Sequence, residues 1–239
     1  MPLTTHHERL EASQSGKLRR YVWYAVGEIL LIFAGITLAL WFSNWNEDRQ
    51  LRRLETSTLA EIVADLKANI DYISSTVDTD NQEIAACERF LSSVSRREPW
   101  RDTFAKDLGL CRWWTSPFLS SAAYESLKTK GTDLITDSPL RNAIVKLYEQ
   151  TYAYLIEDTD KDLWARQTSI FLPVFNKHTH VVAPDSLVPN DYESLFERNE
   201  LISMLYMKME TQKASVKQQQ FAIAETETVI ELIEKRLVQ

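Results

Sequence analysis

The sequence predicts an all-α protein: one N-terminal transmembrane helix continuing toward an antiparallel helical bundle. Three observations carry this. Only five glycines and seven prolines occur in 239 residues, while Leu, Ala, Glu, Lys, Gln and Ile recur in long unbroken stretches of the kind helices favour. Residues 21–42 form an apolar run with a single formal charge. Beyond it, apolar residues recur at spacings of three, four and seven, the period of one helix face. The predicted organisation is a tail over residues 1–20, a membrane helix over 21–43 and an extramembrane domain over 44–239, the last long enough to bury one core.

The apolar run is 22 residues long, which at ~1.5 Å per residue is about 33 Å of helix, close to the thickness of a bilayer core. Tyr21, Trp23 and Tyr24 lie at one end and Trp41 and Trp45 at the other, as interfacial aromatic anchors do. A cleaved signal peptide fits less well, because the run is long and passes into Ser43-Asn44-Trp45-Asn46-Glu47-Asp48 without a small-residue cleavage site. The expectation is an uncleaved signal anchor. Arg9, Lys17, Arg19 and Arg20 precede the span, and Arg49, Arg52 and Arg53 follow it. The positive-inside rule thus tips toward a cytoplasmic N-terminus and a C-terminal domain outside the cytoplasm.

Glu28 sits inside the apolar run, where a carboxyl is costly and usually faces protein or water. Ile32, Gly35 and Ala39 share its helical face, and Gly35-x-x-x-Ala39 is a small-xxx-small pattern that admits another helix. That face is the predicted contact with another membrane protein or a second copy of the chain. A protonated or snorkelling Glu28 is the alternative.

After the span, Leu59, Ile62, Leu66, Ile70, Ile73 and Val77, then Ile84, Cys87, Leu91 and Val94, describe one stripe about 50 Å long. Thr79-Asp80-Asn81 interrupts it, predicting a bend or an exposed seam. No breaker separates Trp45 from Leu59, so the membrane helix is expected to continue into this one as a stiff link. Pro99 ends it. Short helices are predicted over 101–114 and 120–130, the second closed by Gly131 as a left-handed cap. Ser138-Pro139 is predicted to open the next helix, serine as cap and proline in the first turn. Leu140, Ile144, Leu147, Tyr148, Tyr152 and Leu155 form its stripe, which extends toward Phe175. Residues 177–190 read as an irregular loop. A last long helix is marked by Leu201, Leu205, Val216, Ile223, Ile230, Ile233 and Leu237. These helices should pack within one chain; a coiled coil between subunits is the rival arrangement.

The stretch Gly27-Glu28-Ile29-Leu30 through Gly35-Ile36 to Ala39-Leu40, ending Asn44-Trp45-Asn46-Glu47, resembles the signature of a family of bacterial single-pass membrane proteins known only as a domain of unknown function. Residues 124–131, with Asp133-Leu134-Ile135 and Pro139-Leu140-Arg141-Asn142, resemble that family's second block. The resemblance implies a bacterial single-pass protein and brings no activity with it; the localisation expected is the bacterial inner membrane.

Residues 1–53 hold seven Lys/Arg against five Asp/Glu, and residues 54–239 hold 20 against 29. So acidic a domain is repelled by phosphate backbones, which argues against nucleic-acid binding. Cys87 and Cys111 are not a CxxC pair. They either form a disulfide closing a loop of roughly 25 residues, stabilising by about 3 kcal/mol, or remain buried thiols. His178 and His180 lack further ligands nearby, so a polar loop is favoured over a metal site. Trp113, Trp114, Phe118 and Tyr124 read as core packing rather than a ligand pocket. Asp158/Asp162 and Glu225/Glu227 read as solvated helix surface. No G-x-S-x-G turn, phosphate-cradling glycine loop or Glu-x-x-His pair occurs. The expectation is a non-enzyme without cofactor: a membrane-anchored helical domain for partner binding, sensing or scaffolding. The alternative is an accessory subunit of a transporter or membrane enzyme that uses Glu28 within the membrane.

Overall fold

The computed structural model describes residues 5–197 and 199–238, with side chains from Tyr21 onward. The chain is all-α apart from one small hairpin, as the composition predicts. Helix α1, Thr5–Ser95, is the longest element. Residues 5–20, expected as a tail, are therefore helical; the side chains of Arg9, Lys17, Arg19 and Arg20 lie outside the described residues. The chain divides into two compact units, Met1–Leu54 and Glu55–Gln239.

In the first unit every residue from 21 to 54 is exposed. One window within α1 has a mean hydropathy of 2.1, and none of it is buried. This helix is long and apolar enough to cross a membrane.

The second unit is a helical bundle. The rest of α1 supplies the stripe read from the sequence: Leu59, Ile62, Leu66, Ile73, Val77, Ile84, Cys87, Leu91 and Val94 are all buried. Helix α2, Asp102–Leu110, is four residues shorter at its C-terminal end than expected. Helix α3, Ala122–Lys130, ends at Gly131, whose φ of 97° suits glycine, although its ψ of 127° lies outside the left-handed helical well. A 3-10 turn, Thr132–Leu134, follows.

Residues 138–178 then form one helical rod of α and π segments. The α segments are α4, Ser138–Lys146; α5, Lys161–Arg166; and α6, Leu172–His178. The π segments are Leu147–Tyr152, Tyr154–Asp160 and Gln167–Phe171. Asp137, not Ser138, caps the rod, its carboxylate accepting from the Leu140 N–H at 3.0 Å. Both residue types cap well, so the expectation missed by one position. Pro173 accounts for the third π segment: its ring excludes the carbonyl four residues back, and the ladder widens just before it.

Helix α7, Glu200–Leu237, is capped by Asn199 through the Leu201 N–H at 2.8 Å. It runs antiparallel to α1: Arg236 meets Glu55, Gln219 meets Asp80 and Gln212 meets Glu83. It is antiparallel to the rod too, for Glu225 meets Lys146 and Glu200 meets Lys177. Intramolecular packing thus occupies the stripes, as expected.

The segment read as an irregular loop is instead an antiparallel hairpin, β1 Thr179–Ala183 with β2 Ser186–Pro189. It docks on α2, where a Cβ on Gly109 would stand 2.1 Å from the Asp185 carbonyl oxygen. Gly109→Ala is expected to push the hairpin off α2 and to destabilise the domain by about 1–3 kcal/mol, read as a lowered denaturation midpoint with α-helical circular dichroism retained. Unchanged stability would show that the close approach is dispensable.

Candidate functional site

The two faces that α1 and α7 turn toward each other are not apolar throughout. Asp80 and Glu83 occupy core positions of the α1 stripe, and Lys208, Gln212, Ser215 and Gln219 follow one another at spacings of four, three and four on the facing stripe of α7. All six are buried, Asp80, Gln212 and Gln219 at 0% exposure and Lys208 at 1%. The interruption at Thr79-Asp80-Asn81 therefore does not expose a seam. It marks where the core turns polar while the helix runs on.

Gln219 donates its Nε2 to Asp80 Oδ2 at 2.9 Å and to Ser215 Oγ at 3.2 Å. Gln212 Nε2 donates to Glu83 Oε2 at 2.5 Å. The Lys208 ammonium lies 3.9 Å from that same Glu83 oxygen and donates to the Trp113 carbonyl at 2.7 Å. Burial disfavours charge and pushes Asp80 up to about 6 against the opposing pull of Gln219 and Lys208, with Asp160 adding to the rise. Burial likewise raises Glu83, opposed by Lys208 and Gln212, and lowers Lys208, opposed by Glu83 and Asp80.

One short stretch closes this layer. Cys111 is joined to Cys87 of α1 as a disulfide, Cα atoms 5.4 Å apart, within the range a disulfide requires. The Arg112 carbonyl accepts from Gln167 of the rod at 2.6 Å, Trp113 holds Lys208 of α7, and the Trp114 indole donates to Asp160 of the rod at 3.2 Å. Residues 111–114 thus tie all three long helices together.

The residues singled out from sequence fall as follows. Glu28, Ile32, Gly35 and Ala39 are all exposed on α1, and nothing lies within 4 Å of a Cβ built on Gly35. The anchors Tyr21, Trp23, Tyr24, Trp41 and Trp45 are also exposed. Cys87 and Cys111 are brought together. His178 and His180 are not: His178 bonds Glu200 at 2.8 Å and His180 bonds Asn190 at 2.9 Å. The aromatic group splits. Tyr124 is buried and stacks on Tyr148 with centroids 4.4 Å apart, whereas Trp113 and Phe118 are exposed rather than core, Phe118 packing beside the equally exposed Tyr72. Sequence reasoning missed Glu83, Lys208, Gln212 and Gln219. The available signal was polar residues at core spacing on two helices expected to pack.

Comparison with protein-family models, with curated proteins and with solved structures finds no match to the chain.

Lys208→Met removes the only buried cation among the described residues, which lies beside two buried carboxyls. The expected cost is about 3–5 kcal/mol at neutral pH, shrinking toward pH 5 as the carboxyls protonate; a pH-independent loss would place the cost in packing instead. Replacing both cysteines with serine should cost about 3 kcal/mol, and intact-mass alkylation without reductant should find no free thiol in the native chain.

Proposed function

We propose that this chain is a single-pass, membrane-anchored and non-enzymatic helical protein that binds a partner or stimulus through its folded domain. The face bearing Glu28, Ile32, Gly35 and Ala39 meets another helix in the membrane. The observation that carries this reading is an apolar segment of which none is buried among the described residues. Eleven Leu, Ile, Phe and Val residues lie between positions 21 and 42. At roughly 0.3–0.6 kcal/mol each they favour a bilayer interior by about 3–7 kcal/mol, which offsets a cost of about 2.5–3.5 kcal/mol for one carboxylate near the centre. Glu28 then lies in lipid with no donor from its own helix, and a neighbouring helix approaching over Gly35 and Ala39 supplies one.

The orientation proposed is a cytoplasmic N-terminus and a periplasmic domain at a bacterial inner membrane. The joined Cys87 and Cys111 support an oxidising compartment for the domain. The cluster of Asp80, Glu83 and Lys208 is sealed in the core, where a substrate does not reach it.

Membrane cross-linking and co-purification from native membranes test the contact. Glu28→Gln and Gly35→Leu should each reduce cross-links to the neighbouring helix several-fold while the domain stays folded. Undiminished cross-linking in both variants would sink the proposed face.

A further inference from the structure

The charged layer between α1 and α7 contains two buried carboxyls and one buried ammonium. Fully ionised, it carries one uncompensated negative charge out of water. The titratable groups facing it are Asp80 and Glu83 on α1, Lys208 on α7 and Asp160 on the rod. Asp160 is already met by the Trp114 indole and only adds negative charge.

The hydrogen bonds show the same imbalance independently. Asp80 Oδ1, Gln212 Oε1 and Gln219 Oε1 are buried acceptors without a donor. The Gln219 and Gln212 amides already spend a donor on each carboxylate, and the ammonium donates to Trp113. Lys208 and Gln212 have further N–H groups, but none of them reaches these three oxygens, so the layer holds unmet acceptors together with excess negative charge. A proton on a carboxyl oxygen corrects both at once, because it cancels the extra charge and turns an orphaned acceptor into a donor.

We infer that the folded domain takes up one proton into the Asp80–Glu83–Lys208 layer and holds it near neutrality, so that its helix packing is linked to pH. This is independent of the proposed membrane contact. The raised positions of Asp80 and Glu83 agree with it. In the unfolded chain these carboxyls ionise near pH 4. Between there and their folded values, the folded state binds more protons than the unfolded one. Stability from this source is therefore greatest in acid and falls as pH rises through that window. Lys208 acts oppositely: its folded value is lowered, so stability recovers only as pH climbs from that value toward the ordinary lysine range.

The test is the pH dependence of unfolding of the full chain in detergent micelles or nanodiscs, compared between wild type and Asp80→Asn and Glu83→Gln. Uptake of one proton makes the folding equilibrium constant fall about tenfold per pH unit between pH 5 and 6; each variant should flatten that slope measurably. Should the variants fail to fold, carbon-13 carboxyl resonances of the wild-type protein carry the test alone. One buried Asp or Glu resonance should remain in its protonated position at pH 6. Two ionised carboxyls at pH 6, or a slope that follows sodium concentration in place of pH, would overturn the assignment and give the charge compensation to Lys208 alone or to a cation.

Discussion

The helical domain depends on one constraint: a polar group removed from water must be met by another. Its three long helices satisfy their own backbones, so the polar side chains they bury have to look elsewhere. They find their partners in the irregular chain between α2 and the rod, which has backbone groups to spare. Arg112 and Trp113 offer carbonyls to Gln167 and Lys208. Ser120 exchanges two hydrogen bonds with Asn69, and Asp65 accepts from the Ala123 N–H where α3 begins. Glu55, buried, accepts from the Thr136 N–H and faces Arg236. The connection is held by the polar residues of the helices it joins, and they in turn are made tolerable by it.

That reciprocity explains what could be read from the sequence. The apolar stripes at 59–94, 140–155 and 201–233 repeat at the helical period and are buried almost to a residue, because hydrophobic burial is non-directional and needs only a face. The segment long and apolar enough to cross a membrane was legible for the opposite reason, its apolarity running around the helix. The layer at Asp80, Glu83, Lys208, Gln212 and Gln219 was not, since a polar residue at a core position looks like a break in the pattern until the facing helix and its register are known. The hairpin was hidden in a similar way. Pro184 and Pro189 speak for a loop, and β1 and β2 are fixed by pairing with each other and by docking over Gly109, a contact across about 75 positions of chain.

The stretch 111–114 gains its importance from position more than composition. Cys87 lies one helical turn beyond Glu83, so the disulfide fixes the stretch beside the charged layer and sets the Trp113 carbonyl where Lys208 needs it. Without that acceptor the ammonium would have Glu83, at 3.9 Å, and the charge of Asp80 to offset its desolvation. A buried ion pair alone seldom stabilises a fold. Here the added backbone acceptor and the two glutamine donors make the pair compatible with burial.

The same reasoning separates the carboxyl groups of this chain into two kinds. Asp80 and Glu83 lie away from water, receive donors from Gln219 and Gln212 and have the Lys208 ammonium nearby, so the fold answers most of their demand and the proton inferred above answers the rest. Glu28 stands on an apolar helix face beside Trp23, Tyr24, Gly27 and Leu31, and no described residue is hydrogen-bonded to its carboxyl. On the reading that this helix lies in lipid, the demand is identical, and no described residue meets it. On the reading proposed above, the donor comes from a neighbouring helix, and Gly35 and Ala39 leave the room it needs to approach. An unmet polar group inside a core would count against a fold; in a membrane helix it points outward, to whatever the helix binds.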